Sequence, residues 1–360
     1  MYKLPDFLTN NDLKTLRSKP LIFVVGNSRS GTTLMGRILG KSPEIFTFGE
    51  IHFFDNLFQS RLESPYLSTA AASRLLARLF AIQRDGLFSR GTTPDYLNEA
   101  LSLLKETNYD NWTQLDIFVF FLHYECSRAS KKLPCDHTPG NIHHLDTILN
   151  SLPSARVVNM IRDPRDVLFS QKRKWKRKFL GAADIPYSEV FRSWANYHPV
   201  TISKLWLSAI SAYERYQSHE RVYAIRFEDL ILNPLHTVQE LCSFLQIEYQ
   251  PEMLKVPFVG SSHKADSWES KGLNSEAVGK WKQGGLNDAE IYFCQAIAER
   301  KMKNYSYHTE AIDASPTRIL AYLLMLFPKA TISLCLNLQR KNKLINLIKS
   351  LSRDKVPSKI

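Results

Sequence analysis

The chain has 360 residues, 44% hydrophobic and 23% charged, which is the balance of a globular protein with a sizeable core and not that of a disordered chain. A net charge of +12 and a pI near 9.4 favour an anionic partner: a nucleotide, a nucleic acid, an acidic glycan or an anionic lipid surface. Five cysteines, odd in number and without a CxxC pair, fit a reducing compartment better than a secreted disulfide scaffold.

The first 20 residues, MYKLPDFLTNNDLKTLRSKP, lack the charged-then-apolar order of a signal peptide, so the expectation is a cytoplasmic protein. Next comes LIFVV, Leu21 to Val25, a continuous apolar run of the kind that a buried parallel strand requires, with a helix predicted to start near Gly31. Between them GNSRSGTT, Gly26 to Thr33, has G-x-x-x-x-G spacing, in which glycines let successive backbone N–H groups converge on an anion at a helix N-terminus. A nucleoside triphosphatase would carry lysine and then a magnesium-holding Ser or Thr after the second glycine; here Thr32 and Thr33 stand there, and Arg29 is the available cation.

Residues from about 54 to 131 carry Leu, Phe, Tyr and Arg at helical spacing with no clear strand, and are predicted to form a helical insertion that shapes a second substrate's pocket. RVVNMI, Arg156 to Ile161, and RVYAIRF, Arg221 to Phe227, are predicted strands in a βαβ rhythm, and a helix is expected over Leu235 to Leu245 behind Pro234. Arg162 directly follows the first of these strands and Ser170 lies eight residues on, two turns into the next helix. Both can therefore face one crevice at the C-terminal edge of the sheet, where a guanidinium and a hydroxyl suit a phosphate. The QKRKWKRK run after Ser170 reads as a solvated basic face. His123, Cys126, Cys135, Asp136, His137, His143 and His144 include zinc-ligand types at a spacing that fits no standard site, and no metal is expected.

From Ala311 to Ile360 nine Lys or Arg face Asp313 and Asp354, a net +7. Within this region ILAYLLMLFPKATISLCLNL, Ile319 to Leu338, is mostly apolar but interrupted by Pro328 and Lys329, and is predicted to be a buried or interfacial helix pair and not a membrane span. The tail could dock to anionic lipid.

PLIFVVGNSRSGTTLM, the GE at Glu50, RVVNMIRDPRDVLFS, RFEDLILNP and VGKWK together resemble the sulfotransferases that use 3′-phosphoadenosine 5′-phosphosulfate, and within them the tyrosylprotein and bacterial branch; the resemblance covers about residues 20 to 307. It implies that Arg29, Ser30, Gly31, Thr32 and Thr33 hold the 5′-phosphosulfate and that Arg162 and Ser170 hold the 3′-phosphate, with Lys174 a further basic contact. It also implies that Lys271, Gly272 and Lys280 belong to a late loop over the nucleotide, and that one of Ser261, Ser262 and Ser267 lies near the sulfate. Glu50 matches the general base of the tyrosylprotein branch. That branch has a lysine where this chain has His137, which could donate to the bridging oxygen or serve as the base in place of Glu50. Phe227 stands where many relatives have tyrosine.

The expected architecture is α/β: a P-loop-type three-layer fold with a central, mostly parallel sheet, a helical insertion and a helical C-terminal extension, divided as a domain over residues 1–310 and an extension over 311–360. The expected activity is sulfuryl transfer to a hydroxyl of a glycan, glycolipid, peptide tyrosine or small molecule, with no nucleic-acid partner. The competing readings are a P-loop kinase and a non-catalytic polyanion- or membrane-binding protein on the same fold.

Overall fold

The computed structural model describes residues 15–59, 64–86, 94–107, 109–262 and 264–353; the N-terminal segment read for a targeting signal lies outside them through residue 14, as do the last seven residues of the basic tail. Strand β1 (Leu21–Gly26) leads into helix α1 (Thr32–Gly40) and strand β2 (Ile45–Thr47). Helices α2 (Phe53–Asn56), α3 (Thr69–Asp85), α4 (Pro94–Glu106) and α5 (Gln114–Arg128) fill the stretch predicted to be helical. Strand β3 (Leu133–Asp136), α6 (Leu145–Ser151), β4 (Ala155–Ile161) and α7 (Pro164–Lys172) follow. Then come α8 (Tyr187–Ala195), α9 (Pro199–Glu214), β5 (Val222–Arg226), α10 (Phe227–Leu232) and α11 (Pro234–Leu245). An antiparallel pair, β6 (Pro257–Phe258) with β7 (Ser267–Lys271), precedes α12 (Asp288–Asn304) and α13 (Pro316–Arg353).

The main sheet runs β2-β3-β1-β4-β5 with every pairing parallel. Strand β1 is buried on both faces because its side chains alternate between two cores: Leu21, Phe23 and Val25 pack with α3, α5, α7 and α9, while Ile22 and Val24 pack with α1 and α11. These are the three layers of the expected α/β fold. Helix α5 is buried nearly all round, as its run of Ile117 to Leu122 requires, and a capping box between Thr113 and Asp116 starts it. The chain passes from β1 leftward to β2 and β3, then crosses to β4 on the other side of β1. That reversal beside β1 opens a crevice outside the carboxyl ends of β1 and β4.

Two features depart from the sequence reading. Strand β3 was not predicted, because Pro134 and Asp136 break its apolar run and a proline in an inner strand argues against the assignment; here Pro134 pairs in register with Phe46 of the short strand β2. The C-terminal apolar stretch is neither buried nor a helix pair. It is one helix that runs through Pro328 with most of its apolar side chains exposed. Proline removes the N–H that would meet the carbonyl of Leu324, and both residues lie on the exposed face, where that carbonyl can turn outward to water.

Candidate active site

The crevice is a cavity of about 740 Å³, within the range of ligand-binding pockets. Its floor is the turn after β1. There Arg29 adopts a left-handed conformation (φ 74°), and Gly31 (φ 101°) is the N-cap of α1. A Cβ on Gly31 would lie 2.6 Å from the Phe227 ring, so glycine is required both by the backbone and by the neighbour. A non-glycine residue in the left-handed region is uncommon and costs about 1–3 kcal/mol, and such strain gathers where a site needs a side chain aimed in one direction. Arg29 is aimed across the crevice: its Nε donates to Ser170 Oγ at 2.9 Å and an Nη donates to the Gly260 carbonyl at 2.9 Å. Burial, with Arg162 and Arg177 nearby, lowers its pKa to about 10, so it stays charged at neutral pH.

The RDPRD segment divides its work among its residues. Asp163 caps α7 by accepting from Arg165 N at 2.8 Å and pairs with the Arg165 guanidinium at 2.7 Å, with Pro164 at the first helical position. Asp166, fully buried, accepts from Gly279 N at 2.8 Å and Trp281 N at 2.9 Å, which pins the late loop that carries Lys280 into the cavity wall. Arg162 turns into the cavity, donates to the Arg29 carbonyl at 3.2 Å and the Ala277 carbonyl at 2.7 Å, and lies 4.1 Å over the Phe227 ring. Phe227 thus supplies a cation–π platform for Arg162 in place of a hydroxyl. Ser170 Oγ meets Ser262 Oγ at 2.9 Å, so the two anion sites read separately from the sequence share one cavity.

Among the predicted site residues, Arg29, Gly31, Thr32, Thr33, Glu50, Arg162, Ser170, Lys174, Gly272 and Lys280 line the cavity, as do Ser261, Ser262 and Ser267. Ser30 is fully buried beneath the turn, and its hydroxyl has no protein partner. Lys271 is exposed on β7 and does not line the cavity. His137 lies behind α1, so close that a Cβ on Gly36 would fall 2.1 Å from its ring; it does not line the cavity, its Nδ1 has no partner, and burial lowers its pKa and keeps it neutral. Among the described residues no group of His, Cys, Asp and Glu converges as a metal site.

The site holds residues that sequence reasoning did not assign. Arg37 of α1 and Arg177 line the cavity, Arg37 donating to the Val259 carbonyl at 2.7 Å and Arg177 forking onto Asp266 at 2.9 Å. The basic run is therefore not simply a solvated face, because Arg177 is turned inward. Glu50 opens on the cavity and keeps 42% of its side-chain exposure there; it does not cap α2. Its Oε2 lies 3.3 Å from His52 Nε2, while His52 Nδ1 lies 3.2 Å from Asp55, whose other oxygen meets His144 Nε2 at 3.2 Å. The left-handed conformation of His52 (φ 53°) brings its ring between these two carboxylates.

The enclosing protein by itself disfavours charge on both Glu50 and His52, but it is outweighed: hydrogen bonds to Asp55 and Glu50 hold His52 charged, and the hydrogen bond and charge of His52, with the charge of Lys174, hold Glu50 ionised. Glu50 falls to about 2 and His52 rises to about 9. The carboxylate's share of stability is present above its ordinary 4.5 and is lost as pH falls through about 2; the imidazolium's is full below its ordinary 6.5 and is lost as pH rises through about 9. His52→Ala is therefore expected to lower the melting temperature most between these ordinary values and to lie close to wild type above pH 9, as a series of thermal melts would read. A gap that stays constant across that series would rule out the ion pair.

A family model described as "Sulfotransferase family" matches residues 20–251. A protein-tyrosine sulfotransferase of Drosophila melanogaster is 22% identical over 294 residues, which are 78% of this chain and 51% of that protein, so the chain spans about half the length of this relative. A putative protein-tyrosine sulfotransferase of Caenorhabditis briggsae is 25% identical over 65% of this chain and 68% of its own length. Among solved structures, a sulfotransferase domain from the curacin biosynthetic pathway is 20% identical, with a TM-score of 0.48 over 81% of this chain and 99% of that one. The family match runs from the strand that opens the phosphate turn to the residues just past α11, and so contains Arg29, Glu50, Arg162 and Ser170: the chain belongs to the sulfotransferase family.

Proposed function

We propose that the chain transfers a sulfuryl group from 3′-phosphoadenosine 5′-phosphosulfate to an acceptor hydroxyl, with Glu50 as the base. The observation that carries this reading is the convergence, in one cavity, of the glycine turn with Arg29, the Arg162–Ser170 pair and a single ionised carboxylate beside them. Several cationic groups along one cavity suit a donor with anionic groups at both its 3′ and 5′ positions. The acceptor oxygen attacks sulfur, the bond from sulfur to the bridging oxygen breaks, and its electron pair leaves on the phosphate of adenosine 3′,5′-bisphosphate. Arg29 and the backbone N–H groups at the start of α1 stabilise the charge that grows on that oxygen. The hydroxyl proton passes to Glu50 and from there to water in the cavity. A carboxylate with a pKa of about 2 is a weak base, so its proton transfer comes late, when bonding to sulfur has made the hydroxyl acidic.

His137 remains a neutral packing partner behind α1 in this reading, because it is buried away from the cavity that Glu50 lines. The kinase reading is weakened by Thr32 in the lysine position, while the non-catalytic reading predicts donor binding without transfer. Titration with adenosine 3′,5′-bisphosphate tests the anion sites. Arg162→Ala is expected to weaken binding about 10- to 100-fold, as the loss of a charged hydrogen-bonding partner worth about 1.5–3 kcal/mol implies. An unchanged affinity would remove Arg162 from the 3′-phosphate site.

A further inference from the structure

Helix α13 is amphipathic in the reverse sense to a helix packed on a soluble protein. The positions turned toward the body are Ile319, Tyr322, Leu326, Lys329, Ser333, Leu336 and Asn337, a stripe at three- and four-residue spacing that includes the polar residues. Lys329 donates to the Tyr197 carbonyl at 2.9 Å, Ser333 donates to Asn196 at 2.6 Å, Asn337 accepts from Arg192 at 3.0 Å, and the Tyr322 hydroxyl accepts from Asn287 at 3.1 Å. The outer face carries Leu320, Leu323, Leu324, Phe327, Ile332 and Leu334, with Leu324 68% and Phe327 78% exposed. A contiguous apolar face of this length marks an interaction surface.

Charge selects what covers it. From Ala314 to Arg353 there are seven Lys or Arg and no Asp or Glu. The adjoining segment from Lys172 to His198 has seven more against Asp184 and Glu189, of which Lys174 and Arg177 turn into the cavity, Lys172 pairs with Glu290 and Arg192 with Glu189, and it presents exposed aromatic residues, Phe179, Tyr187, Phe191 and Trp194. Lysines lie over these or neighbouring rings: Lys178 over Tyr187 at 4.6 Å, Lys176 over Trp175 at 5.4 Å and Lys329 over Trp194 at 4.9 Å. Apolar side chains, ring-and-lysine pairs and a net positive charge complement an anionic bilayer surface, whereas a second copy would bring the same positive charge against this one.

The helix is also long and apolar enough over Pro316–Leu338 to cross a membrane. Crossing would strip its hydrogen bonds to Tyr197, Asn196, Arg192 and Asn287 and leave those groups bare in hydrocarbon, so the docked helix lies in the interface plane. Its support, α8, has two uses. Arg192, Trp194 and the following Asn196 carry α13, while Val190 and Ser193 of the same helix line the cavity, with Trp175, Ala182 and Ile185 alongside. One helix, about 10 Å across, thus separates this wall of the cavity from the face that carries α13.

We propose that α13 seats the protein on an anionic membrane and that the acceptor is a hydroxyl-bearing lipid resident there. The acceptor part rests on the transfer reading above; the seating does not. Flotation of the full chain with phosphatidylcholine vesicles that contain phosphatidylglycerol, without donor, tests the seating. The protein is expected to float with them and to stay behind with pure phosphatidylcholine, and Leu324→Glu with Phe327→Glu is expected to cut the floated fraction about a hundred-fold. Retained affinity of this double variant for adenosine 3′,5′-bisphosphate shows that it folds. Failure to float, equal flotation of the variant, or a wild-type dimer in solution that the same substitutions dissociate would overturn the seating.

Radiolabelled donor supplied with vesicles of a total polar lipid extract, and separately with water-soluble peptides, sugars and phenols, tests the acceptor class. Label in the lipid phase is the expected result. Label confined to the water-soluble acceptors would overturn the lipid assignment alone, label in neither would overturn it together with the transfer reading on which it rests, and flotation, which needs no donor, keeps both failures separate from the seating.

Discussion

Glu50→Gln is expected to lower turnover about 10²- to 10⁴-fold, the usual contribution of a positioned general base, while leaving affinity for adenosine 3′,5′-bisphosphate within a factor of a few. The separation follows from the geometry. Glu50 reaches the cavity beside the turn, but the groups that hold the nucleotide in the proposed reading are Arg29, Arg162, Ser170 and the late loop fixed by Asp166. Glutamine keeps the shape and one acceptor oxygen for His52, so the ring stays between its partners and the change falls on basicity. A turnover within a few-fold of wild type would remove Glu50 as base, and loss of bisphosphate affinity in parallel would place it in donor binding instead.

Arg29→Ala is expected to lower turnover about 10²- to 10³-fold, as deletion of one preorganised charge or donor at a developing anion does. Its left-handed backbone is awkward for alanine and arginine alike, so the substitution adds little new strain. The side chain also ties Ser170 to the Gly260 loop, so a second, smaller effect on donor affinity accompanies the loss in rate. Arg29→Lys restores charge without the fork that meets both partners, and should recover part of the rate. Steady-state kinetics with the donor as varied substrate reads both effects, and an Arg29→Ala variant altered only in KM would make Arg29 a binding residue alone.

What the sequence disclosed of this site is what a short stretch of chain can encode. The turn from Gly26 to Thr33 is a local backbone device, and the Arg162-to-Ser170 spacing follows from one strand end and two helical turns. Strand β1 could be read because its burial on both faces demands an unbroken apolar run. Strand β3 could not, since Pro134 near its start is tolerated only because the pairing with β1 begins at Cys135, which composition does not reveal. Arg37 and Arg177 look like ordinary basic residues until the Val259 and Ser261 carbonyls, more than 80 residues away in the chain, come round to meet them. The grouping of Glu50, His52, Asp55 and His144 depends on one left-handed residue and on a turn 89 residues distant from Asp55.

The C-terminal helix teaches the converse. Its apolar composition is plain and allows a buried or an interfacial helix; the inward stripe is tied down by Lys329, Ser333 and Asn337, and most of the apolar residues are left outside. A period-3.6 pattern fixes two faces of a helix and does not say which faces the protein.

The most direct test of the central claim is to mix the protein with 3′-phosphoadenosine 5′-phosphosulfate labelled at sulfur and a mixed panel of lipid, peptide, glycan and phenol acceptors, then follow both the label and the nucleotide. The account predicts label on an acceptor together with an equal amount of adenosine 3′,5′-bisphosphate, both lost in Glu50→Gln. Donor that binds and remains intact with every acceptor in the panel would contradict it.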